Sequence, residues 1–171
     1  MKFGIACFPS KEVQDFANSY RKRYDPHYSL IQPHLTIREA EEWSSGRLKE
    51  AVAHLELAVK TLSPFTVRFN RFSSLLPGSA VIYLALEDPE PFIRCHEALC
   101  AGPLTEASKS YRFHPHLTIG QQLGHDEAND ILASLRKIPV SLSATIDRIH
   151  MLYQTENDAW TVHQTFLFGR T

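Results

Sequence analysis

Pro33-His34-Leu35-Thr36-Ile37 and Pro115-His116-Leu117-Thr118-Ile119 are the same five residues written twice, about half a chain apart. Successive side chains on a β-strand point to opposite faces. His34 and Thr36 therefore share one face, with Leu35 and Ile37 on the other. His116 and Thr118 stand in the same relation to Leu117 and Ile119. Each copy presents an imidazole beside a hydroxyl, backed by an apolar layer. Two copies predict two similar lobes whose histidine strands meet in one cleft.

Working outward, residues 3–8 read as a short apolar strand. Ser10 stands ready to cap a helix with Val13, Phe16, Ala17, Tyr20 and Tyr24 on one face. A polar loop over residues 25–33 leads into the first motif. A second helix starts at Ser44 or Ser45, carries Leu48, Val52, Leu55, Val59 and Leu62 on one stripe, and is stopped by Pro64. Residues 65–75 and 80–86 are β-type runs around the turn Leu76-Pro77-Gly78-Ser79. A helical segment over residues 89–99 and a polar loop over residues 102–112 precede the second motif. A short helix from Asp126 follows, with Ile131, Leu132 and Leu135 inward. Two long strands, residues 140–153 and 160–168, close the chain.

The repeat extends past the motif. Both halves read as loop, motif, helix and long hairpin. Phe69-Asn70-Arg71-Phe72 can be laid over Ile146-Asp147-Arg148-Ile149, with Leu75 falling on Leu152. The matching arginines share either a phosphate-binding role or a structural pairing with neighbouring carboxylates.

Bulk properties bound the function. The 171 residues suit a single bilobal domain spanning the chain. A net charge of −1 and a pI near 6.7 offer no basic surface for duplex nucleic acid. A phosphate would have to be held locally, in a cleft, so the expected partner is a small phosphorylated substrate or an oligonucleotide end. No apolar run reaches bilayer length. The start of the chain reads as a strand rather than a secretory signal, so the expected location is cytoplasmic. The three cysteines, Cys7, Cys95 and Cys100, describe no disulfide framework, and Cys95 and Cys100, in an apolar helical stretch, read as small buried hydrophobes rather than redox partners. Nothing in the composition bears on oligomeric state.

The duplicated imidazole and hydroxyl suit displacement at phosphorus. One group must take a proton from the nucleophile and another must protonate the leaving oxygen. Histidine does either near neutral pH. Threonine hydroxyls can donate to the non-bridging oxygens. No metal or cofactor is required.

Two His-x-Thr-x motifs, each preceded by Pro and set among apolar strand residues, resemble those of the 2H phosphoesterases. That superfamily includes 2′-5′ RNA ligase-like proteins and 2′,3′-cyclic nucleotide phosphodiesterases. The length and order of elements are most similar to the small bacterial phosphoesterases of the YjcG-like subgroup. The resemblance implies a bilobal α+β fold, with an antiparallel sheet in each lobe, helices outside and the active site between. It also implies His34 and His116 as catalytic residues, with Thr36 and Thr118 on the phosphate, and leaves open which histidine is the acid. The implied reaction is hydrolysis of a phosphodiester, a 2′,3′-cyclic phosphate or another ribose-linked terminal phosphate.

Tyr28, Arg38, Tyr111 and Arg112, on or beside the motif loops, are candidate substrate contacts through stacking or charge. His114, two residues before His116, admits a metal-dependent alternative, although its counterpart in the first copy is Gln32. A second alternative is a non-catalytic module that binds a nucleotide or an RNA end. The remaining histidines carry no comparable context.

Overall fold

The structure is a computed structural model that describes residues 1–106 and 113–169. The candidate contacts Tyr111 and Arg112 lie outside them. The described residues form twelve regular elements: β1 (Lys2–Cys7), α1 (Lys11–Tyr24), β2 (Leu35–Glu42), α2 (Ser45–Ala58), β3 (Phe65–Ser74), β4 (Ile82–Leu86), α3 (Glu90–Leu99), β5 (Leu117–Gly120), α4 (His125–Leu135), β6 (Leu142–Ile146), β7 (Arg148–Gln154) and β8 (Trp160–Leu167). Short 3₁₀ turns follow α2 and α3. Two four-stranded antiparallel sheets result, in the orders β2-β1-β7-β8 and β5-β4-β3-β6. The bilobal α+β expectation is met.

The local reasons for these elements are mostly those visible in the residues. Ser44 caps α2, its hydroxyl accepting from the Arg47 amide at 3.1 Å. Ser10 holds the cap position of α1, but its hydroxyl donates to the Ser143 carbonyl at 3.4 Å and so ties the helix start to β6 instead. In α4 the inward face is Ala128, Leu132 and Leu135, with Ile131 only partly covered.

The pairing registers correct the repeat. The expected unit opened at the loop before each motif and ended on a hairpin. However, β4, the return strand of the first hairpin, lies beside the second motif strand, just as β1 lies beside the first. Ala6 pairs with Thr36 and His150, while Tyr83 pairs with Thr118 and Ser73. The displacement that carries Phe69 onto Ile146 also carries Ala6 onto Tyr83 and Ser73 onto His150. The true unit is β-α-β-α-β, running from β1 to β3 and again from β4 onward, where β6 and β7 together answer to β3, with β8 added at the edge.

The expected long strand over residues 140–153 is likewise two strands. β6 pairs with β3 and β7 pairs with β1, the break falling at Asp147. Phe65 faces Ile146 and Phe69 faces Leu142, a pairing that the repeat maps onto itself around Val67 and Ala144. The dyad between the lobes passes through that pair.

Each motif strand carries the same irregularity. Ile5 pairs with Arg38 and Ala6 with Thr36, so Ile37 is an extra residue; Ile119 is extra in the same way between Gly120 and Thr118. Leu35, Ile37, Leu117 and Ile119 are buried in the core, while Thr36 and Thr118 are half-covered. The alternation expected along both motifs therefore holds. Helix α1 packs on β5, the opposite motif strand, and α3 reaches β2 through a 2.9 Å hydrogen bond from His96 Nδ1 to the Ile37 carbonyl.

Candidate functional site

The concave faces of β2 and β5 bound one cavity of about 320 Å³. His34, Thr36, His116 and Thr118 all line it, together with Arg21, Asp25, His27, Arg38, Gln121 and Trp160. Both imidazoles are held alike. Nδ1 of His34 lies 2.8 Å from the Gln32 carbonyl, and Nδ1 of His116 lies 2.7 Å from the His114 carbonyl. A carbonyl only accepts, so Nδ1 carries the proton in each ring and the Nε2 lone pair remains available. The bond spans two residues in each motif, so the tautomer is written into the local backbone.

Burial pushes the His34 pKa down to about 4, with the Arg21 guanidinium and His116 adding to the effect against the Gln32 carbonyl and Asp25. This imidazole is neutral at pH 7. In the unfolded chain it returns to about 6.5. The folded state therefore resists protonation that the unfolded chain accepts, and stability falls as pH drops from about 6.5 toward 4. His34→Gln removes this contribution. Urea titrations at pH 7 and pH 4.5 should show the variant losing less stability between the two than the wild type. Equal losses would contradict a depressed His34.

Arg21 and Asp25 were not foreseen as site residues. Arg21 is 1 % exposed and Asp25 6 %. Nε of Arg21 lies 3.5 Å from an Asp25 oxygen, while its two outer nitrogens donate to Asn18 Oδ1 at 2.7 Å and to the Ile31 carbonyl at 2.6 Å. Asp25 Oδ1 accepts from the His27 amide and from Gln121 Nε2, each at 2.9 Å. His27, read from sequence as having no context, lies against Gln121 and Gln122, with 3.1 and 3.2 Å contacts to its two ring nitrogens. Tyr83, buried beside Thr118, packs its ring edge-on against His116 with centroids 5.4 Å apart.

Of the candidate substrate contacts, Arg38 lines the cavity but is buried, its Nε donating to the Leu104 carbonyl at 3.1 Å and its Nη1 lying 3.5 Å from Glu41. Tyr28 is exposed and borders a neighbouring groove with Phe8, Leu30 and Trp160 rather than the cavity itself. Arg71 and Arg148 each bond the preceding side chain, Asn70 and Asp147, at 2.8 Å. Arg148 thus meets a carboxylate, whereas Arg71 meets an amide oxygen and the Leu86 carbonyl, so the two do not share a carboxylate pairing.

His114 Nε2 is engaged by the Tyr83 hydroxyl at 2.9 Å. Among the described residues, His96, Cys100 and Glu106 form a group of metal-type ligands. The Cys100 thiol lies 3.5 Å from Nδ1 of His96 and the Glu106 carboxylate 3.6 Å from Nε2. One ligand atom from each lies within 4.8 Å of the others, although Nδ1 of His96 is taken up by the Ile37 carbonyl at 2.9 Å. Cys7 and Cys95 are buried and free, and burial pushes their thiols up, that of Cys95 to about 12, which keeps them protonated and unreactive. No described helix is long and apolar enough to cross a membrane.

Comparison with known proteins agrees with this architecture. Over 169 residues the chain is 46% identical to a provisionally named phosphoesterase of Bacillus pumilus, covering 99% of this chain and 98% of that one. It is 48% identical to another from Geobacillus sp., covering 99% and 97%. Escherichia coli LigT complexed with 3′-AMP superposes with a TM-score of 0.70 at 16% identity, over 98% of this chain and 97% of that one. A Thermus thermophilus protein does so with a TM-score of 0.69 at 19% identity, over 99% of each. These last two show the fold. The family model for the 2′-5′ RNA ligase superfamily matches residues 9–158, and the chain belongs to that superfamily, the 2H phosphoesterases.

Proposed function

We propose that this protein is a metal-independent phosphoesterase that hydrolyses a ribose-linked phosphodiester, a 2′,3′-cyclic phosphate or an RNA-terminal diester, through His34 and His116. The observation that carries the reading is the pair of imidazoles in one cavity, each pinned at Nδ1 with Nε2 left for chemistry. His34, held neutral, is the base: its Nε2 takes a proton from water as the oxygen attacks phosphorus. The bond from phosphorus to the ribose oxygen breaks, and His116, as imidazolium, gives its Nε2 proton to that oxygen. An anionic phosphate in the cleft raises the basicity of His34. Thr36 and Thr118 donate to the non-bridging oxygens.

The polar lining supports a small ligand. Arg21 and Arg38 are balanced by Asp25 and Glu39, and both guanidiniums are already engaged within the protein. Binding then rests on neutral donors, Thr36 and Thr118 among them, rather than on a basic field. The LigT complexes with 3′-AMP, ATP, NADP⁺ and phosphate support a nucleotide or phosphate ligand in this fold.

Hydrolysis of 2′,3′-cyclic nucleotides and of 2′-5′ and 3′-5′ dinucleotides, with EDTA present, tests the proposal. Turnover is expected, and Thr36→Val or Thr118→Val should lower kcat/KM by roughly a hundredfold, the effect of removing a donor to a developing anion. Activity abolished by EDTA and restored by zinc or manganese would favour metal hydrolysis instead. Tight nucleotide binding without product would favour a binding module.

A further inference from the structure

A continuous path of contacts joins the end of one motif strand to the imidazole of the other. It begins at Gln121, directly after β5, whose amide N–H donates to the Tyr24 carbonyl at 3.1 Å and whose side chain donates to Asp25 at 2.9 Å. Asp25 faces Arg21, and Arg21 donates to the Ile31 carbonyl at 2.6 Å. The next carbonyl, that of Gln32, holds His34 at 2.8 Å. Two backbone features fit this contact to β5. A Cβ on Gly120 would stand 3.0 Å from Tyr24 Cβ, so glycine lets the end of α1 approach the strand. Gln122 adopts a φ of 57°, uncommon for a residue with a side chain, and turns the chain away immediately after Gln121.

The geometry points to Arg21, Asp25 and Gln121 as a positioning brace that sets the placement of His34 relative to His116. This rests on the proposed two-histidine reaction and adds residues that act through His34. In-line displacement needs base and acid on opposite sides of phosphorus, and misplacement by about 1 Å can cost roughly a hundredfold in rate. Each motif fixes its own imidazole through its own backbone, so the separation between them must be set elsewhere. The loop over residues 25–33 carries β2 away from α1, while α1 itself rests on β5. The brace fastens that loop to the opposite motif strand. Arg21 serves here as a strut rather than as a phosphate clamp, because its nitrogens are already directed at Asp25, Asn18 and Ile31.

The test uses Gln121→Leu, which removes the link without stranding a charge, and Arg21→Lys, which keeps the charge beside Asp25 but lacks the fork that reaches Ile31. In the ligand-free proteins, both variants should remain folded by circular dichroism. Their His34 ring ¹H–¹³C signals should shift or broaden, while those of His163, which does not line the cavity, stay in place. Affinity for inorganic phosphate should fall roughly tenfold, about 1.4 kcal/mol. A residue that only touched substrate would leave the free His34 signal unmoved, so an unchanged His34 ring in both folded variants overturns the brace. Failure of the wild type to bind phosphate would count against the proposed function and leave the ring signals to decide the brace.

Discussion

Replacing either His34 or His116 with alanine is expected to lower kcat by about a thousandfold while changing KM by only a few-fold. Each correctly placed proton transfer contributes roughly a hundredfold to ten-thousandfold. The histidines act mainly on protons in flight, and the threonines hold the phosphate, so the loss should appear in turnover rather than in binding. The double variant should be little worse than either single one, because removing one half of an acid–base pair already disables the other. His34→Gln and His116→Gln are the cleaner substitutions, since a glutamine amide can still meet the carbonyls of Gln32 and His114 without supplying a titrating nitrogen. Steady-state kinetics on the best substrate from the nucleotide panel measures all of this. Full activity in either alanine variant would eliminate the two-histidine mechanism. Additive losses would show that the residues act independently rather than as one proton relay.

The candidate site behind that proposal was legible in the sequence because the motif is local and duplicated. Five residues in alternation decide which face carries His34 and Thr36, and the second copy repeats the decision. The helices were legible for the same reason, and so was the β3–β4 hairpin, whose turn residues lie together. The break at Asp147 was not. The stretch containing β6 and β7 is uniformly β-type, and only the strands it meets, β3 on one side and β1 on the other, divide it. Nothing within the stretch records those partners. The repeat unit was misplaced by one strand for the same reason. A hairpin is visible in sequence as two neighbouring strands, whereas the role of β4 as counterpart of β1 exists only in the sheet.

Arg21 presents a different case, since a signal was present. Val13, Ala17 and Arg21 fall at successive intervals of four on α1 and are its buried residues, so the arginine continues the inward stripe. Asp25 follows at the next such interval, where an i, i+4 partner belongs. A reading that followed the aromatic residues Phe16, Tyr20 and Tyr24 around the helix passed over this charged end of the stripe. Those aromatic rings are only partly buried and pack against the core from its margin.

The largest stability effect is expected from Arg21→Met. Methionine matches the length of the arginine stem, so little packing is lost. What is lost is the countercharge to a carboxylate whose side chain is 2 % exposed. Burial already pulls the guanidinium pKa of Arg21 down, and the pairing with Asp25 opposes that pull. Breaking one side of such a pair costs about 3–5 kcal/mol, because the remaining charge stays buried without compensation. Asp25→Asn strands the arginine instead, but keeps an oxygen for the His27 amide and for Gln121. Combining Arg21→Met with Asp25→Asn removes both charges and should recover about half of the loss. The double-mutant cycle should therefore show strong coupling rather than additivity. Urea midpoints at constant m-value measure it, and the result should barely change between low and high salt, since a buried pair is poorly screened. Additive losses would mean that Arg21 and Asp25 stabilise the fold separately. In that event the link from Gln121 to His34 would lack its central member, and the precision of the cleft would have to come from the β-sheets alone.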